Sequence, residues 1–143
     1  MALIELARKR GVSDDPVLRQ HLVDCWIRQQ IQRFHGYRLQ TALSKGVPPG
    51  PETSVMKLFA AEYLRRLGNT SLEVLGPEGQ LLDDGAPAGT EWQARFLFAP
   101  AIRIAGGSNE VQRNIMAERV LGLPHEPRTD RDTPFRDLGR AGS

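Results

Sequence analysis

Between Pro16 and Lys45 the chain carries no further proline, and Gly36 is the single glycine in that interior. Apolar residues recur there at Leu18, Leu22, Cys25, Trp26, Ile31, Phe34 and Tyr37, then at Ala42 and Leu43. That spacing of three and four is helical. Ser13-Asp14-Asp15-Pro16 supplies the start, with side-chain acceptors for the first free N–H groups and a proline where its missing donor costs nothing. The implied helix of about 30 residues is about 45 Å long at 1.5 Å per residue. A helix of that length cannot cover its own stripe, so it needs neighbours, and the simplest solution is a bundle.

The flanking segments read the same way. Residues 2–10 carry a short amphipathic pattern at Leu3, Ile4 and Leu6 that ends at Gly11. Gly46-Val47-Pro48-Pro49-Gly50-Pro51 is a loop by composition. A second long helix starts near Pro51-Glu52 and runs to Leu75, with Val55, Leu58, Phe59, Leu64, Leu67, Leu72 and Leu75 on its apolar face. Two long helices joined by a short loop are antiparallel neighbours. Gly76-Pro77-Glu78-Gly79 stops the second one, and residues 76–91 form a Gly/Pro/Asp-rich connection. Trp92–Arg103 reads as a short helix around Phe96, Leu97 and Phe98, interrupted at Pro100. The last helix spans Ser108 to Leu121, with Gly122 past its end and Pro124 as a stop. There are no repeats and no strand alternation. The expected fold is all-α, an antiparallel helical bundle over residues 1–124, with 125–143 a flexible polar tail rich in Arg, Asp and Pro.

Composition narrows the function classes. There are 19 Lys and Arg against 17 Asp and Glu, a net charge of +2 with both signs interspersed, so no basic face for nucleic acid is expected. Arg8-Lys9-Arg10 reads as a helix C-terminus meeting its dipole. The single Cys25 cannot form an intramolecular disulfide and reads as a buried small hydrophobe in a reducing compartment. No apolar run reaches the roughly 18 residues of a membrane helix, and Met1-Ala2-Leu3-Ile4 is cut short by Glu5, unlike a signal peptide. The expected location is the cytoplasm, with no membrane insertion. His21, His35 and His125 are too scattered for a metal site. Ser44, Ser54 and Ser71 lack a paired His and Asp pattern.

One segment carries chemistry. In Gly106-Gly107-Ser108-Asn109-Glu110 a glycine pair leads into a capping serine and a helix. Glycines let backbone approach a ligand, and a side chain at Gly107 would fill that space. The open N–H groups of the first helical turn favour an anion or a polar ligand edge, although ordinary capping explains the spacing equally well. Gln112 and Arg113 further along read as a solvated or interface face.

The wider string, with Ile104, Gly107, Ser108, Glu110, Val111, Gln112, Arg113 and Ile115, resembles the C-terminal signature of acyl-CoA dehydrogenases, which reads roughly I-x-E-G-T-x-Q/E-I-Q-R-x-I. Glu73-Val74-Leu75-Gly76-Pro77-Glu78-Gly79 is similar to the family's Q-x-x-G-G-x-G turn, with Glu73 where Gln is usual and Pro77 where Gly is usual. The resemblance covers most of residues 2–124. It implies an FAD-dependent enzyme that oxidises the α,β bond of an acyl-CoA thioester and passes electrons to an acceptor such as an electron-transfer flavoprotein. It implies cofactor contacts at Glu73, Gly76, Pro77, Ser108 and Glu110, those of the Glu73 turn being to the adenosine end of a neighbouring subunit's FAD. It places Gly107 beside the thioester. The family's R-x-x-F-G motif, whose arginine pairs with FAD phosphate, is matched only by Arg8-Lys9-Arg10-Gly11-Val12, without its phenylalanine.

The family's catalytic glutamate falls on Gly106, which cannot take a proton. Either the base comes from elsewhere in the polypeptide, or the chain is a non-catalytic partner or assembly module of a homo- or hetero-oligomer. Of the family's three domains, an N-terminal helical domain, a β-barrel and a C-terminal bundle, only the last is matched. The 143 residues alone are expected to be inactive.

Overall fold

The computed structural model describes residues 2–50, 52–82, 86, 89–125, 134 and 136. Apart from His125, Pro134 and Arg136, the expected tail therefore lies outside the described residues. Every regular element among them is helical: α1 (Ala2–Lys9), α2 (Pro16–Ser44), α3 (Glu52–Leu75), a 3-10 turn (Gly76–Gln80), α4 (Glu91–Ile104) and α5 (Asn109–Arg119). The expected all-α bundle is what the chain forms. The connection after Leu75 opens with the 3-10 turn rather than an irregular loop. The last helix begins one residue after its serine cap and ends at Arg119.

Local chemistry sets these boundaries. The Asp15 carboxylate accepts the Leu18 N–H at 2.7 Å, and Pro16 occupies the first turn of α2, as the start signal requires. Contacts between α2 and α3 pair His21 with Glu73, Cys25 with Thr70, Asp24 with Arg66 and His35 with Phe59. The numbers rise on one helix as they fall on the other, so the two are antiparallel. The core gathers where α1 covers this pair: Leu3 and Ala7, Leu18, Leu22 and Cys25, Leu67 and Val74. Cys25 is fully buried, its thiol directed at Thr70 and its pKa pushed up by burial.

α2 outruns this cover. Off the covered face it carries further apolar residues, with Val23, Trp26, Ile27, Ile31, Phe34 and Tyr37 exposed, Phe34 by 60%. The periodicity was sufficient to form a helix there, but no described helix lies over that face.

Pro100 does not interrupt α4, which is continuous from Glu91 to Ile104. A proline removes one helical hydrogen bond and crowds the preceding turn. Here its ring lies on the exposed side, the adjoining Ala99 is buried, and the last turn is closed by Ala105 N–H to Ala101 O at 2.8 Å. Packing along α3 outweighs the local penalty.

That packing depends on Gly68. A Cβ built there would sit 2.9 Å from the Phe96 Cα of α4, closer than real Cβ atoms come. Gly36 in α2, by contrast, has nothing within 4 Å of its Cβ position. Replacing a helical glycine by alanine gains up to about 1 kcal/mol of helix propensity, whereas overpacking against backbone costs about 1–3 kcal/mol. Gly36→Ala should therefore raise stability by about 0.5–1 kcal/mol. Gly68→Ala should lower it, and Gly68→Val should lower it further, by about 2 kcal/mol or more. Urea unfolding followed by circular dichroism measures all three; a stabilised Gly68→Ala would contradict the close approach of α3 and α4.

Candidate functional site

The junction between α4 and α5 is built from two consecutive left-handed residues. Gly106 has φ +67° and Gly107 φ +96°. Residues with a Cβ are strained in that region, by about 1–2 kcal/mol each, so the glycine pair is what permits the turn. Ser108 then returns to extended geometry, and its hydroxyl accepts the Val111 N–H at 3.3 Å to cap α5.

Three side chains fix this turn from inside. Gln112 Nε2 donates to Gly106 O at 2.7 Å. Lys57 Nζ, from α3, donates to Gly107 O at 2.5 Å and reaches Arg103 O at 3.4 Å. Asn109 Nδ2 donates to Glu62 Oε1 at 2.6 Å, and Glu62 also pairs with Arg65 and, more loosely, with Arg103. Both glycine carbonyls are thus engaged. The N–H groups of Gly106 and Ser108 have no partner among the described residues, while that of Gly107 closes the hydrogen-bonded turn over residues 105–106. The result is a pair of open donors just before a helix N-terminus, where the dipole favours negative charge.

The open side of the turn is at Gly106 rather than Gly107. A Cβ on Gly106 would meet nothing within 4 Å, whereas one on Gly107 would come within 3.0 Å of Gln112 Nε2 and 3.3 Å of Val111 Cγ1. The space expected beside Gly107 is filled by α5's own side chains. A substitution at Gly107 would first displace the amide that holds Gly106 O.

Glu110 is exposed in the first turn of α5. Its carboxylate accepts from its own N–H and from the Ser108 hydroxyl, which hold its pKa below the usual range, with Arg113 and Arg103 adding to the effect. Glu110 thus carries an ionised carboxylate beside Ser108 at the rim of the turn.

The second group of expected residues lies elsewhere. Glu73 is exposed on the last turn of α3, with its carboxylate 2.5 Å from His21 Nδ1. Gly76, at φ +61°, ends the helix, and Pro77 stands in the first turn of the 3-10 segment. Arg10, at the end of α1, donates to Glu78 at 2.7 Å and to Leu75 O at 3.2 Å, so it ties α1 to this turn. That hydrogen bond lowers the Glu78 pKa, so the tie is in place near neutral pH and is lost as the pH falls through the lowered value. Arg8 is exposed instead and lines a groove of about 520 Å³ with Ile4, Ser13, Asp14, Arg19, Leu22, Val23 and Trp26. Sixteen residues of α3 separate Glu73 from Lys57, about 24 Å at 1.5 Å per residue, so the two groups lie at opposite ends of one helix.

Gln112 corrects the reading of the sequence. It is 6% exposed and faces Gly106, while Arg113 beside it is solvated as expected. Lys57, Glu62 and Asn109 went unnoticed in the sequence. A lysine and a glutamate within an amphipathic helix look like surface residues, and only the path of α4 brings the turn to them.

The comparisons with known proteins agree with this architecture. Residues 2–121 match the family model described as acyl-CoA dehydrogenase, C-terminal domain. The chain is 43% identical over 124 residues to acyl-CoA dehydrogenase IpdE1 of Mycobacterium tuberculosis, and 44% identical over 124 residues to IpdE1 of Mycolicibacterium smegmatis. Each alignment covers 87% of this chain and, respectively, 31% and 30% of the relative. The chain thus spans about a third of the length of these relatives. Among solved structures, Tcur3481-Tcur3483 steroid ACAD superposes with a TM-score of 0.76 at 21% identity, covering 87% of this chain and 33% of that one, which speaks to the fold. With a helical bundle, a glycine turn at the position of the family signature and a family match across almost the whole described bundle, this chain belongs to the acyl-CoA dehydrogenase family, as its C-terminal domain.

Proposed function

We propose that the chain serves an FAD-dependent dehydrogenase that forms the α,β double bond of an acyl-CoA thioester, to which it contributes flavin contacts and an oligomer interface. The observation that carries this reading is the α4–α5 junction, where Lys57 and Gln112 hold the carbonyls of the glycine pair and the N–H groups of Gly106 and Ser108 are left open. Those donors suit the polar edge of a cofactor or the carbonyl of a thioester. FAD, when bound, supplies the two-electron acceptor that the reaction requires.

The residues present fit such a group in a divided way. Ser108 and Glu110 form the rim at one end of α3, and Glu73, Gly76 and Pro77 form the turn at the other. A separation of about 24 Å along α3 suits contacts to two different cofactor molecules in an oligomer rather than to one small ligand. Of the two arginines at the end of α1, Arg10 is committed to Glu78 while Arg8 has no ion-pair partner among the described residues. Arg8 is the one free to meet a phosphate.

Gly106 leaves the turn without a carboxylate of its own. The α proton is then taken by a base carried on another segment or another subunit, and this chain's share of the work is to orient the thioester and the cofactor edge. Re-oxidation falls to an external acceptor such as an electron-transfer flavoprotein. A second reading, a non-catalytic partner within a dehydrogenase-like hetero-oligomer, is favoured by the same Gly106 and by the uncovered stripe of α2. The paired name of the solved neighbour points the same way.

Two outcomes are expected. The complete protein bearing this domain, alone or with a second dehydrogenase-like subunit, should purify yellow and bleach on anaerobic addition of an acyl-CoA. The steroid in the solved neighbour's name makes a steroid-type thioester the first to try. A folded protein without flavin, and without acyl-CoA-dependent bleaching in either combination, would refute the reading. The 143-residue chain by itself should self-associate through the exposed α2 stripe, because large apolar patches are rare on monomers. Light scattering that shows a clean monomer from micromolar to near-millimolar protein would contradict that.

A further inference from the structure

We infer that Lys57 is a positioning residue for the reacting end of the ligand, acting through the backbone of the glycine turn. The inference rests on the function proposed above. Lys57 lies on α3, fifty residues before the carbonyl it binds. Its ammonium is the only group from outside the α4–α5 segment that holds a glycine carbonyl of the turn among the described residues. It is half-buried, and its second contact is to Arg103 O at the end of α4, so one side chain ties together the helix end, the turn and α3.

The direction of each bond gives the geometry its meaning. A peptide plane is rigid, so pinning a carbonyl also fixes the N–H on the other side of the same peptide bond. Gly107 O belongs to the peptide whose N–H is that of Ser108, and Gly106 O to the peptide whose N–H is that of Gly107. Lys57 therefore sets the Ser108 donor, and Gln112 sets the Gly107 donor. The Ser108 N–H has no partner among the described residues, while the Gly107 N–H closes the turn over residues 105–106. Glycines at φ +67° and +96° have little intrinsic preference for this arrangement over others, so the orientation of the donors is imposed by the two side chains. Of these, the Lys57 bond is charge-assisted and anchors the turn to the body of the bundle. Donors aimed at a developing charge act on the rate only while they are held in place.

Lys57 also resembles an ordinary C-terminal helix cap, through Arg103 O. The test separates the two roles. In the 143-residue chain, Lys57→Met keeps the aliphatic stem and removes the donor, and Lys57→Arg restores a cationic donor. Amide NMR shifts should move in Lys57→Met within residues 103–112 and leave α1 and the first half of α2 in place. Lys57→Arg should return most of them toward the wild type. Shifts unchanged in Lys57→Met, or spread over the whole bundle with loss of the fold, overturn the inference.

In the flavin-loaded complete protein, Lys57→Met should retain its FAD. It should reduce flavin at saturating acyl-CoA about ten- to a hundred-fold more slowly, with the half-saturation concentration changed by less than about threefold. Lys57→Arg should recover part of the rate. A local NMR change with an unchanged reduction rate makes Lys57 a structural cap alone and overturns its positioning role. A wild-type protein that binds no flavin refutes the functional reading itself and withdraws the catalytic part of the inference, while the NMR arm still decides whether Lys57 holds the turn.

Discussion

The close approach of α3 to α4 at Gly68 is the constraint from which the rest of the structure follows. α3 touches every other helix of the bundle, and α4 can lie along it only because residue 68 has no Cβ facing Phe96. With α4 at that distance, its C-terminal end arrives beside Lys57 and Glu62, and those two side chains reach the glycine turn and the first residue of α5. A side chain that propped the helices apart by even a fraction of an ångström would lengthen a 2.5 Å and a 2.6 Å contact at once. Packing at one end of α3 and polar geometry at the other are therefore coupled through a single helix.

The division of labour along α3 explains how a short bundle carries two sites. Toward its C-terminus, apolar burial dominates: Leu67 and Val74 close against α1 and α2, and Arg10 and Glu78 lock the following turn. Toward its N-terminus, polar side chains take over, and Glu62 gathers Arg65, Arg103 and Asn109 around one carboxylate. Of these groups only Asn109 is buried, so its hydrogen bond to Glu62 is the contact most shielded from water. The exposed stripe of α2 is the counterpart of this arrangement. Its residues lie off the face of α2 that packs on α1 and α3.

Much of the fold was legible in the sequence because it rests on local signals. Helix starts at Asp15 and Ser108, and the end at Gly76, were set by caps and glycine, and the proline-free runs of α2 and α3 marked the two long helices. Pro100 misled because its local penalty is smaller than the packing of α4 on α3, which no single-sequence pattern displays. The glycine turn was visible, but its orientation was not: the free side at Gly106 and the filled side at Gly107 depend on where Gln112 points. Lys57 was invisible for a related reason. Fifty residues separate it from the carbonyl it holds, and nothing in its own helix distinguishes it from a solvated lysine.

The account's central claim is that the α4–α5 turn presents its open N–H groups to the reacting part of a bound ligand. The most direct measurement is a crystal structure of the flavin-loaded complete protein with an unreactive acyl-CoA analogue. The account predicts an oxygen of the thioester, or a polar atom of the flavin edge, within hydrogen-bond distance of the N–H groups of Gly106 or Ser108, with Lys57 still on Gly107 O. A ligand bound elsewhere, with those donors turned to another protein segment, would contradict it.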